Sequence, residues 1–135
     1  MLNDFDRTYV INLPERKDRR IQMERHLGDL GATRVRFFPA IRADRARPFR
    51  SAEQAGCFLS HRRVLMEAYA DGLESVLILE DDAEFVEPQT FHAAWGILRP
   101  QLDDTSWGVF QAGWLRLGGR AAPIDVTPTL MRMRD

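Results

Sequence analysis

Apolar residues along this chain fall into short runs and helical stripes, with turn residues between them. Residues 7–13 (RTYVINL) are β-branched and aromatic and read as a buried strand, after which Pro14 suits the first turn of a helix. That helix should continue to about Leu30 and stop at Gly31, with Met23, Leu27 and Leu30 as its core stripe at i, i+4 and i+7. At about 100° per residue, Arg16, Arg19 and Arg20 fall near the direction of Met23 and extend the inward face toward the top edge of the sheet. A second strand is expected over 34–41 (RVRFFPAI), then a basic loop or flap over 42–50. Ser51 is the expected N-cap of a helix that begins at Glu53 and runs to about Ala70, closed by Asp71-Gly72. Its shared face is read as Phe58, His61, Leu65, Ala68 and Tyr69. A third strand follows at residues 75–79, then a helix over 88–98 carrying Phe91, Trp95 and Leu98, and a last strand over 107–112 (WGVFQA). Alternating strands and helices predict one α/β domain spanning residues 1–135, its mostly parallel sheet flanked by helices in a doubly wound arrangement.

The third strand ends in three consecutive acids, Glu80, Asp81 and Asp82. In open α/β sheets ligands bind outside the carboxyl ends of the strands, which is where this pattern puts them. Clustered carboxylates repel one another unless solvent or a cation neutralises them, and hard divalent ions prefer oxygen ligands. An acidic turn after a core strand is the plainer reading of the same residues.

Composition narrows the class without naming a function. With 44% apolar and 29% charged residues in 135, the chain can bury a real core and is not of disordered type. The formal charge of -1 conceals a division. Residues 1–50 carry 12 basic and 7 acidic side chains, whereas residues 51–104 carry 3 and 11. This polarity suits basic groups that hold phosphates beside acids that hold a metal, and it equally suits internal salt bridging. No basic run with interleaved aromatics points to nucleic acid. The single Cys57 excludes an internal disulfide framework, and no apolar run is long enough to span a membrane or to serve as a signal sequence. A cytoplasmic protein is the expectation.

Two further stretches reinforce the acidic triplet. The first strand leads into Ile11-Asn12-Leu13-Pro14-Glu15-Arg16-Lys17-Asp18-Arg19-Arg20, and the second long helix reads Gly56-Cys57-Phe58-Leu59-Ser60-His61. In order and spacing, these and Leu79-Glu80-Asp81-Asp82 resemble glycosyltransferase family 25, the lipopolysaccharide and lipooligosaccharide sugar transferases related to collagen galactosyltransferases. The likeness covers roughly residues 7–115, and three ordered motifs are far more specific than any one of them.

The resemblance implies a GT-A-like, Rossmann-like fold that binds a nucleotide-diphosphosugar such as UDP-galactose and uses Mn²⁺ or Mg²⁺. Galactose would pass, with inversion, to a glycolipid or oligosaccharide acceptor of lipooligosaccharide type, at the inner face of the cell membrane. Matching positions make Glu80 and Asp82 the expected metal ligands and Asp81 a group that orients the donor's ribose or sugar. Asn12, Leu13, Arg16 and Arg19 are the expected substrate-binding residues, Asn12 through its amide and the arginines through phosphates. The arginines' plainer role is pairing with Glu15, Asp18 or the acidic lobe.

His61 reads first as a hydrogen-bonded core histidine and second as a catalytic one, and Cys57 as a small buried hydrophobe. Trp95 and Trp107 read as core, while Trp114 is a candidate for stacking on a sugar. Family members continue beyond the segment matched here with segments that complete the acceptor side, so the chain reads as a donor-binding half, a natural short variant or a truncated form. After Asp104 the only acids are Asp125 and Asp135, and no inverting base is assigned. A catalytically incomplete nucleotide-sugar or metal-binding module acting with a partner chain is the alternative, and a homodimer would cover exposed edges. A phosphoacceptor receiver fits poorly, because Asn12-Leu13-Pro14 stands where it needs an acidic pair.

Overall fold

The computed structural model describes residues 2–85, 87–103 and 108–109, together with the backbone of 124–125 and 131–132. A 3-10 turn (Leu2–Asp4) precedes β1 (Arg7–Asn12), α1 (Lys17–Asp29), β2 (Val35–Pro39), α2 (Ala52–Ala70), β3 (Val76–Glu80) and α3 (Pro88–Asp103). Two-residue strands β4 (Ile124–Asp125) and β5 (Met131–Arg132) pair antiparallel. The chain divides into two compact units, Met1–Pro88 and Gln89–Asp135, and the first holds the sheet of three strands. The fold is α/β, as the pattern of the sequence requires.

β1 lies at the centre of the sheet, parallel to both neighbours, in the order β2-β1-β3. Its position explains its composition: Thr8 to Asn12 are all buried, which favours an unbroken run over an alternating one. Steps from β1 to β2 and from β2 back across to β3 go in opposite directions, so right-handed crossovers place α1 and α2 on opposite faces. On the α2 face Tyr9, Ile11, Phe38, Val64 and Ala68 form one cluster, with Ile78 packed against it. Thr8 and Val10, of the other parity, are buried, as are Met23, Leu27 and Leu30 at the inward stripe of α1. Asp6 fastens the entry of β3 to β1: its Oδ2 accepts the backbone N–H groups of Glu74 (2.8 Å) and Ser75 (2.9 Å). Those two donors hold its carboxyl below the ordinary carboxylate range.

Three expectations from the sequence need correction. α1 begins at Lys17, not Pro14, because Leu13 to Arg16 form a turn in which the Arg16 N–H bonds the Leu13 carbonyl (2.8 Å). It ends as expected, on Gly31 with φ of 68°. The second correction concerns α2, whose Ser51 cap does accept the Gln54 N–H. Its inward face is Ala55, Gly56, Ser60, Val64 and Ala68, whereas Phe58, Leu65 and Tyr69 are 50%, 53% and 88% exposed. Small residues face inward because the helix approaches backbone closely. A Cβ at Gly56 would lie 2.5 Å from the Ile41 carbonyl oxygen, and the Ser60 hydroxyl accepts the Ile41 N–H at 2.8 Å. Third, the helix after β3 continues to Asp103, past Leu98, its last turn carrying an Arg99–Asp103 ion pair. The strand expected at 107–112 and the Trp114 reading lie outside the described residues, apart from Gly108 and Val109, which are exposed and not in a strand.

Candidate functional site

Parallel pairing brings the carboxyl ends of β1 and β3 to one edge, with Ile11 opposite Glu80, so Asn12 emerges beside Asp81. This is the point where the strand order reverses, the place at which open α/β sheets form their ligand crevice. The buried Asn12 amide donates to Asp81 Oδ2 (2.7 Å) and to the Arg16 carbonyl (3.2 Å), locking the turn before α1 to the end of β3. Arg19, in the first turn of α1, donates to Asp81 Oδ1 at 2.8 Å and reaches Asp82 Oδ2 at 3.3 Å. Asp81 is nearly enclosed, its side chain 10% exposed, and Asp82 at 59% is open to solvent. One guanidinium therefore bridges two adjacent carboxylates whose mutual repulsion it offsets.

A cleft of about 200 Å³ opens beside this group, walled by Arg19, Gln22, Met23 and His26 of α1 and by residues 81–84. The His26 Nδ1 atom is buried there without a hydrogen-bond partner. Gln22 and His26 were missed in the sequence although the signal existed, since they stand at i+3 and i+7 from Arg19.

Other expected residues go elsewhere. Arg16 forms a two-pronged pair with Asp18 (3.0 and 2.7 Å), which depresses the Asp18 carboxyl to about 2. The Arg16 guanidinium is in turn raised, by Asp18 first and more weakly by the field of Asp81 and Asp82. Arg20 pairs with Glu24 and lies over the Phe37 ring, 4.5 Å from its centroid. Leu13 is half-buried and supplies the carbonyl of the turn before α1.

Glu80 turns to the opposite flank. Its Oε1 accepts the Cys57 Sγ–H at 3.3 Å and lies 3.9 Å from His61 Nε2, both on the outer side of α2. His61 is not a core residue: its side chain is 36% exposed, and Nδ1 donates to the Cys57 carbonyl at 3.0 Å. Cys57 is exposed too, not a buried hydrophobe. Partial burial of its thiol, then the Glu80 carboxylate, push it up to about 11, so it is no thiolate nucleophile at neutral pH. The acidic triplet is thus shared between two helices, Asp81 and Asp82 toward α1 and Glu80 toward α2.

Comparison with known proteins agrees with this arrangement of motifs. Residues 5–104 match the model of glycosyltransferase family 25, described as an LPS biosynthesis protein. Among curated relatives, a glycosyltransferase 25 family member of Drosophila melanogaster is 29% identical over 88% of this chain and 22% of the fly protein. One from Anopheles gambiae is 31% identical over 81% of this chain and 22% of its own length. Human procollagen galactosyltransferase 2 is 34% identical over 60% of the chain and 16% of that protein. No solved structure gives a significant match. The chain spans about a fifth of the length of these relatives, and the matched stretch contains all three motifs and the whole crevice. On that match, the chain belongs to glycosyltransferase family 25.

Proposed function

We propose that the crevice binds the diphosphate of a nucleotide-sugar, with galactose as the sugar, and that the chain acts in its transfer to a lipooligosaccharide-type acceptor. The observation that carries this reading is the bridge from Arg19 to Asp81 and Asp82 beside Asn12, at the point where the strand order reverses. The family and the name of the human relative support transfer of a sugar, and of galactose.

A divalent ion fits the Asp81–Asp82 pair on the chemistry of the donors. Both are carboxylates, the oxygen-only set that Mn²⁺ and Mg²⁺ take, and a cationic group already sits between them. Such an ion, when bound, neutralises charge that builds on the diphosphate as the anomeric carbon is attacked. Asn12 holds Asp81 in its orientation. Arg19, released from the carboxylates, is placed to pair with phosphate oxygens, and Arg16 adds its charge from the adjacent turn. At about 200 Å³ the cleft suits a diphosphate and its ion, not an entire nucleotide-sugar, so base and sugar extend along the open edge. That size also favours a second reading, a donor-binding module that needs a partner chain for transfer.

Calorimetric titration of UDP and UDP-galactose, with and without Mn²⁺, beside an Asp82→Ala variant, tests both. Metal-dependent binding that the substitution weakens supports the donor site, and accompanying turnover of UDP-galactose favours the transferase. Binding without turnover favours the module. No binding under any condition refutes both.

A further inference from the structure

On the far flank of β3, three ligating groups converge that the donor reading does not use. Cys57 and His61 stand one turn apart on α2, so their side chains share a face. Glu80, the last residue of β3, meets them from the sheet. Cys57 Sγ, a ring nitrogen of His61 and a Glu80 carboxylate oxygen all lie within 4.8 Å of one another. Sγ is 3.3 Å and His61 Nε2 3.9 Å from the same oxygen.

Those spacings are close to the edges of a metal tetrahedron. With zinc bonds of about 2.3 Å to sulfur and about 2.0 Å to nitrogen and oxygen, ligand atoms sit roughly 3.3–3.6 Å apart. Side-chain rotation that draws the set in from its 4.8 Å limit would reach that geometry.

The histidine's tautomer is an independent observation. A carbonyl can only accept, so the His61 Nδ1 that faces the Cys57 carbonyl at 3.0 Å carries the proton in the neutral ring. Nε2 is then the unprotonated nitrogen, 3.9 Å from a carboxylate oxygen, two acceptors with no hydrogen bond between them. A cation between them removes that mismatch, and a histidine whose other nitrogen donates to a backbone carbonyl is the usual state of a metal-bound imidazole.

We propose that Cys57, His61 and Glu80 form a zinc site, separate from the Asp81–Asp82 pair and built for a softer ion. A thiolate, a neutral imidazole and a carboxylate neutralise Zn²⁺, with the thiol proton passing to solvent. Sulfur and nitrogen donors select against Mn²⁺ and Mg²⁺. With Cys57 and Glu80 exposed and His61 half-buried, a fourth position is open to water or to a ligand. A bound ion ties α2 to the strand end whose next two residues are Asp81 and Asp82.

Cobalt(II) added to the full chain reports the ligands directly and needs no nucleotide, so its outcome is independent of the donor reading. The expected result is a one-to-one complex with a sulfur-to-cobalt charge-transfer band and the intense visible bands of tetrahedral cobalt, both erased by stoichiometric Zn²⁺. Cys57→Ser should remove the charge-transfer band, and His61→Ala should weaken binding roughly 10–100-fold or more. Asp82→Asn should leave the spectrum unchanged. Circular dichroism confirms that each variant folds, and zinc should raise the melting temperature of the parent chain but not of Cys57→Ser. Absence of the sulfur band in the parent chain, or the same spectrum and affinity in Cys57→Ser, overturns the proposal.

Discussion

The two flanks of the β3 end differ in how completely their polar groups are satisfied. Toward α1, Asn12, Arg19, Asp81 and Asp82 form a closed set in which each carboxylate has a cationic partner and Asp81 accepts on both oxygens. Toward α2, Glu80 takes a weak thiol donor and faces an imidazole nitrogen across 3.9 Å. The first set has partners for both carboxylates without a ligand, so under the proposed function an incoming ion would compete with Arg19. The second gains from any soft cation that enters. At the end of one strand, neighbouring acids of the same triplet thus meet two different sets of partners.

Loss of the close approach of α2 should have the largest effect. Gly56→Ala drives a methyl group against the Ile41 carbonyl and is expected to cost about 1–3 kcal/mol, read as a lower urea midpoint. Because Cys57 adjoins this contact, the variant should disturb the α2 flank and spare the Asn12–Asp81 bond. If urea stability is unchanged, tight packing is not what holds α2 in place.

Next comes the opposite flank. Asp82→Asn keeps the shape of the acidic pair while removing one charge, and should weaken Mn²⁺-dependent UDP binding about 10–100-fold by calorimetry. Arg19→Gln leaves the nearly enclosed Asp81 without its charged partner. It should destabilise the fold by about 1–2 kcal/mol, a figure discounted for the solvent that reaches Arg19. In the absence of nucleotide the same variant should bind Mn²⁺ more tightly than the parent chain. Weaker Mn²⁺ binding would mean that Arg19 shapes the pair for the ion instead of standing in for it.

The smallest effects are electrostatic and local. Arg16→Gln should let the Asp18 carboxyl rise from about 2 toward the ordinary 3.8, followed by carbon-detected NMR titration. The sign follows from the depressed folded value: the pair stabilises above the unfolded pKa near 3.8, and that contribution fades as pH falls toward about 2. Asp6 behaves alike, its contribution present above about pH 4 and lost on acidification, and Asp6→Asn should flatten the acid limb of stability.

Much of this was legible in the order of residues. Unbroken apolar runs mark β1 and β3 close to where those strands form, but only β1 is buried, and β3, expected to be fully buried, is half-buried with an exposed end. Ser51 and Gly31 mark helix limits through backbone chemistry that acts within a few residues. The inward face of α2 was not legible. Large apolar side chains normally mark the buried side of a helix, and here the close approach of backbone at Ile41 reserves that side for Gly56 and Ser60. The start of α1 was equally hidden, because the turn at Leu13 to Arg16 is held by Asn12 reaching across from β1.

By itself, then, the sequence determined that the chain is α/β, that three acids close its third strand, and that its motifs are those of glycosyltransferase family 25. Runs, caps and spacings are local properties and survive in one dimension. Only the tertiary structure decided which groups those acids meet. Sixty-two residues separate Arg19 from Asp81 and twenty-three separate Cys57 from Glu80. Strand register and the opposite placement of two crossover helices bring each pair together, and neither is encoded in any short stretch of the chain.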